Sequence, residues 1–115
     1  MSYLPEVFRR FGSEYPDVNS AYEELATQLH ASGPLTDRER RLAKLGIAVG
    51  RESEGAVRSH ARKAVAEGIE PAAILQVAVL AITTAGYPAA IASFQWIGEV
   101  LRSEPEMTEA VEGSD

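Results

Sequence analysis

The chain contains no cysteine. That excludes disulfides, thiolate nucleophiles, thiol peroxidase chemistry and thiolate metal sites. Histidine is scarce, with only His30 and His60. A protein-only zinc site would need both rings plus carboxylates, so neither a metal nor another cofactor is expected. No glycine-rich phosphate loop, metal-ligand run or nucleophile elbow is present. Long apolar runs are also lacking. The longest, residues 72–85, is interrupted by Gln76, Thr83 and Thr84, is shorter than a membrane span and reads as a buried helix. The N-terminus has no basic segment followed by an apolar run, so a cytoplasmic protein with no membrane partner is expected. A domain-wide basic excess is missing as well. The net charge is −6, and nucleic-acid binders show the opposite sign.

What charge there is sits unevenly. Residues 104–115 hold Glu104, Glu106, Glu109, Glu112 and Asp115 and no base. Without them the chain has 12 acids against 11 bases, so the acidity belongs to a tail. Residues 38–63 reverse the balance, with eight bases against three acids. Such a local excess suits a small anionic ligand, and it also suits ordinary solvated helix faces.

With 115 residues and 45% hydrophobic content, the chain has material for one modest core. Apolar residues recur at three and four rather than two, which predicts an all-α, single-domain bundle of about six helices. Residues 3–11 form the first helix, with Leu4, Phe8 and Phe11 on one side, broken by Gly12 and Pro16. Asp17 can cap the second, carrying Val18, Ala21, Tyr22, Leu25 and Leu29, which Gly33-Pro34 ends. Thr36-Asp37-Arg38-Glu39 is a capping box opening the third, lined by Leu42, Leu45 and Val49 and stopped by Gly50. Ser53 can cap a fourth that runs to about Glu67, with Gly68 as its C-terminal cap. Pro71 suits the first turn of a fifth, apolar over nearly its whole circumference and so expected to be central. Gly86-Tyr87-Pro88 is a break before a sixth helix over 89–102, which Glu104-Pro105 ends. The domain is therefore placed at 1–103 and an acidic, disordered tail at 104–115. Two helices apolar on several sides are hard to bury within so short a chain, which predicts self-association.

The chemistry concentrates in Gly50-Arg51-Glu52-Ser53-Glu54-Gly55-Ala56-Val57-Arg58-Ser59-His60. Ala56 and Ala64 lie one turn before and after His60 and leave space beside the imidazole. The ring is either satisfied by a hydrogen bond inside the bundle or reaches a ligand and moves a proton near neutral pH. Glu54 at the helix start pairs with the macrodipole, or orients His60. Whether Glu52 or Glu54 faces the ring turns on one helix-start residue. Arg58, Arg51 and Arg41 are candidates for a two-pronged grip on a substrate carboxylate. Tyr87 and Trp96 line either a pocket or the core. His30 is read as structural, a cation at a helix C-terminus.

From Leu35 to Leu101 the sequence resembles the carboxymuconolactone decarboxylase family, which includes the alkylhydroperoxidase D-like proteins. The residues that carry the likeness are Leu35-Thr36-Asp37-Arg38-Glu39-Arg40-Arg41-Leu42, the segment from Gly50 to His60, Arg62, Ala64, Gly68 and Gly86-Tyr87-Pro88-Ala89-Ala90. The resemblance implies a helical homo-oligomer, a trimer or hexamer. In the peroxidase branch a Cys-x-x-Cys precedes the histidine by four residues. Here Ser53 and Ala56 occupy those positions, and Arg41 stands where a relay glutamate is often found, so peroxidase activity is expected to be absent. The decarboxylase branch carries a glutamate six residues before the histidine, matched by Glu54 and His60, although Gly50-Arg51-Glu52 comes two residues early. The resemblance therefore implies a lyase-like enzyme of a small acidic metabolite, a lactone or keto acid, with His60 and Glu54 catalytic and Arg58, Arg51, Arg41, Ser53 and Tyr87 binding substrate. The alternative is a non-catalytic oligomer that binds a ligand or a partner protein.

Overall fold

The computed structural model describes residues 6–114, with side chains described through Ser103. Six α-helices follow one another: α1 (Glu6–Glu14), α2 (Pro16–His30), α3 (Asp37–Gly50), α4 (Glu54–Ala66), α5 (Pro71–Leu80) and α6 (Tyr87–Ser114). A short 3-10 turn (Ala81–Thr83) continues α5. No strand occurs among the described residues. α6 opens at Tyr87, inside the expected break, and its backbone runs through Pro105 to Ser114, so Glu104-Pro105 does not end it and residues 104–114 are helical instead of the expected disordered tail; the side chains beyond Ser103 lie outside those described.

Local chemistry explains most of the boundaries. At α3 the capping box forms in full. Thr36 Oγ1 accepts from the Glu39 N–H at 3.1 Å, and the Thr36 N–H donates to Glu39 Oε1 at 2.9 Å. The same bonds hold the Glu39 carboxyl below the usual carboxylate range. α4 ends in a Schellman motif. Gly68 takes φ 81°, its N–H donates to Val65 O, and the Ile69 N–H donates to Ala64 O, each at 3.0 Å. α3 ends at Gly50 as expected, but the left-handed residue of its closing turn comes two positions later. Gly50 remains helical, and Glu52 takes the left-handed position at φ 53°. The Glu52 N–H reaches Val49 O at 3.0 Å, and the Ser53 N–H reaches Ala48 O at 3.2 Å. A non-glycine residue there carries a steric cost between its Cβ and the following carbonyl.

Three boundary expectations are corrected. α1 runs through Gly12 to Glu14. Pro16, expected as a breaker, instead opens α2 at its first turn, where its missing N–H would be unpaired anyway, and Tyr15 rather than Asp17 is the N-cap residue. Ser53 stands at the N-cap of α4 but makes no side-chain cap bond.

Helices α3 to α6 share one core. Leu45 and Val49 from α3, Val57, Ala61 and Ala64 from α4, Ile74 and Ala78 from α5, and Ile97 and Val100 from α6 are all buried. The alanines in that set let helix backbones approach closely. α5 is not central as expected. It buries Ile74 and Ala78 but exposes Val79 and Leu80, because only one side of it meets its neighbours. α1 and α2, joined through Tyr15, form a helical hairpin segment that buries no residue of its own. Phe8, Phe11, Tyr15, Val18, Tyr22, Leu25 and Leu29 are all exposed on it, against the expectation that these faces enter the core.

Candidate functional site

The α1–α2 hairpin stands off the body formed by α3 and α4, and a cleft of about 1200 Å³ separates the two. His60, from the middle of α4, opens onto it together with Arg41, Lys44, Arg51, Ser59 and Lys63. Spacing accounts for the grouping. Arg41 and Lys44 lie three residues apart on α3, and His60 and Lys63 three apart on α4, so each pair shares a helix face.

Arg41 organises the site. Its guanidinium donates to His60 Nδ1 at 2.8 Å and grips Glu67 with two bonds of 2.9 Å each. A guanidinium has donors only, so Nδ1 must accept and the neutral ring carries its proton on Nε2. Burial, followed by the positive charges of Arg41, Lys63 and Lys44, pushes the His60 pKa down to about 4. At neutral pH the ring is uncharged, and the lone pair it would need to act as a base is already occupied. Glu67 is held below the usual carboxylate range by its hydrogen bonds to Arg41. Lys63 is lowered by burial first and then by Arg41 and Lys44.

A second pair repeats the arrangement. Lys44 Nζ lies 2.7 Å from His30 Nε2, at the last residue of α2. The Lys44 charge is the largest cause lowering the His30 pKa. His30 therefore accepts a hydrogen bond from a cation on another helix and is not itself the cation at a helix end that the sequence suggested. It borders both the cleft and an adjoining hollow of about 540 Å³ that also meets Arg40, Arg41 and Glu67.

The residues picked out from the sequence divide into two groups. His60, Arg41 and Arg51 come together at the cleft. Glu54, Arg58, Ser53 and Tyr87 do not line it. Glu54 and His60 are six residues apart, more than a turn and a half, and so project from different faces of α4. Glu54 instead accepts from Arg58 Nε at 3.0 Å, and Arg58 Nη2 donates to Glu99 on α6 at 2.5 Å. Gln95 supplies a further bond to Glu99 at 3.1 Å. This network joins α4 to α6 and uses both prongs of Arg58, which corrects its assignment as a free carboxylate grip. Ser53 is half-buried and Tyr87 exposed. The carboxylate whose charge acts on His60 is Glu67, not Glu52 or Glu54. Ala56 borders the cleft as expected, whereas Ala64 is sealed in the core.

Glu67, Lys44 and Lys63 were missed from the sequence. The signal was there in the helical spacing of Lys63 and Glu67 from His60, three and seven residues on. No group of side chains suited to a metal ion occurs among the described residues, and no described helix is long and apolar enough to cross a membrane.

The model of the carboxymuconolactone decarboxylase family matches residues 16–99, well over half of the chain, and the protein belongs to that family. It is a member without cysteine. No curated relative and no solved structure matches it.

Proposed function

We propose that the cleft binds a small acidic metabolite, a lactone or keto acid, and that His60 moves a proton in its conversion. One observation carries this reading: a neutral imidazole sits at an open cleft among Lys44, Arg51 and Lys63, none of which has a carboxylate ion pair among the described residues. Lys44 and Lys63 act on the ring with positive charge and Arg51 lines the same cleft, an arrangement that favours an anion between them.

An anionic group in the cleft would have two effects. Its charge offsets the cations and raises the His60 pKa toward neutrality. It also competes for Arg41, which releases Nδ1 to take up a proton. The imidazolium so formed is a proton donor. When the C–C bond to a substrate carboxylate breaks, CO₂ leaves and the bonding electron pair stays on carbon as a carbanion or enolate. The cations hold that charge while the ring delivers a proton to carbon. Water then restores the ring proton. Glu67 acts as a positioning residue, since it fixes Arg41.

The test compares wild type with His60→Gln and His60→Ala on a panel of lactone and keto acids, followed by NMR. Loss of turnover in both variants with helix content intact supports the reading. Equal turnover by all three removes His60 from the reaction. The engagement of Nδ1 by Arg41 favours a second reading, in which the acid is bound without conversion. In that case the panel shows binding with no product.

The exposed hairpin faces also support association with further copies of the chain. Val7, Phe11, Val18, Leu25 and Leu29 are each more than two-fifths exposed and do not face the cleft. Light scattering on the purified protein should report a mass above the monomer, and a monomer at 50 μM would end this expectation.

A further inference from the structure

The cleft offers more space than the head of a small acid alone fills, and its walls are of two kinds. Lys44, Lys63 and Arg51 lie on the α3–α4 side. Phe8 and Tyr22 from the hairpin, 56% and 69% exposed, and Ile47 of α3, 64% exposed, also line the cleft, with Ala48 and Ala56. At about 1200 Å³ this open space lies above the usual range of about 300–1,000 Å³ for small-molecule sites. A ligand satisfying only the cations would leave the aromatic and aliphatic wall wet.

We propose that the cleft is built for an amphiphilic monocarboxylate, its anionic head between Lys44, Lys63 and Arg51 and a medium-length apolar chain along Phe8, Tyr22 and Ile47. This rests on the reading of the cleft as an acid-binding site and adds the class of acid. Charge complementarity selects the head. The apolar wall selects the tail, because each methylene moved from water onto it tightens binding by up to about fourfold. The hairpin is well suited to closing over such a tail. It buries none of its own residues in the core, and the His30–Lys44 bond is the one side-chain hydrogen bond from α2 to α3 among the described residues.

The experiment is calorimetric titration of the full chain with butanoate, octanoate and octylammonium, below their aggregation concentrations. Octanoate should bind at least tenfold tighter than butanoate, and octylammonium should not compete with it. Phe8→Ala and Tyr22→Ala, both at exposed positions, should weaken octanoate several-fold and leave butanoate unchanged, with the circular dichroism spectrum unaltered. Equal affinity for butanoate and octanoate overturns the proposal while leaving the acid-binding reading in place. If no carboxylate binds, both fail. Octylammonium binding as well as octanoate overturns it by showing that the cations select nothing. Octanoate affinity that falls as protein concentration rises assigns the cleft to a second copy of the chain and likewise overturns it.

Discussion

Acidification should destabilise the protein through His60 in a defined window. The ring has a pKa of about 4 when folded, against 6.5 for the ordinary side chain. Between those values the unfolded chain binds a proton that the folded chain refuses, so stability rises with pH across that interval. The contribution is fully present above 6.5 and is lost as pH falls toward 4. For a fully sequestered group the gap would correspond to about 3.4 kcal/mol. The ring is only half-buried, so screening by water reduces this to about 1.5 kcal/mol. His60→Gln is the matched control, because its amide oxygen can still accept from Arg41 but cannot titrate. Urea unfolding at a series of pH values, followed by helix dichroism, gives the difference between wild type and variant. Relative to its value at pH 7, wild type should lose about 1.5 kcal/mol against the variant by pH 4, equivalent to about 6 °C or more in Tm. A difference that stays flat across the window, or grows in favour of wild type on acidification, would refute a buried neutral ring.

Three further outcomes follow from specific contacts. Arg41→Met removes the guanidinium that lowers His60 and the bonds that lower Glu67. Both should titrate higher by NMR, with a stability loss of about 1–2 kcal/mol from the orphaned carboxylate; an unmoved His60 would show that Arg41 does not set its charge. Glu52→Gly relieves the left-handed backbone at φ 53° and should raise stability by about 1 kcal/mol in thermal melts, whereas a loss would mean the Glu52 side chain is needed. Ser93 is fully buried, and its hydroxyl has no hydrogen-bond partner among the described residues. Ser93→Ala should therefore be neutral or stabilising by up to about 1 kcal/mol, and a clear destabilisation would reveal a bond to that hydroxyl.

The features legible in the sequence are those fixed by a few adjacent residues. Thr36 and Glu39 announce the start of α3, Gly68 its successor's end, and Pro71 the start of α5, because each solves a local hydrogen-bonding or steric problem whatever the rest of the chain does. Other features depend on what lies opposite. Glu52 occupies a position that glycine usually fills, since the Schellman bonds and the turn into α4 outweigh its steric cost. Glu54 was matched to His60 by distance along the chain, but helical twist sends the two to different faces and Arg58 claims the carboxylate. Arg41 and Glu67 are 26 residues apart, and nothing local to either signals that they meet. The family likeness rests on spacing and placed His60 at a cleft, but it could not show that the ring would be neutral. That state comes first from burial of the ring and then from three cations on two helices, Arg41, Lys63 and Lys44, which only packing brings together.

The central claim is that His60 is a neutral ring held by cations at an anion-binding cleft. It is tested most directly by titrating the ring by ¹⁵N NMR, first alone and then with a saturating carboxylate. The account predicts an uncharged ring protonated on Nε2 at pH 7, titrating well below 6.5, with its pKa moving up when the carboxylate binds. A ring already protonated at pH 7, or one whose titration ignores the bound carboxylate, would contradict it.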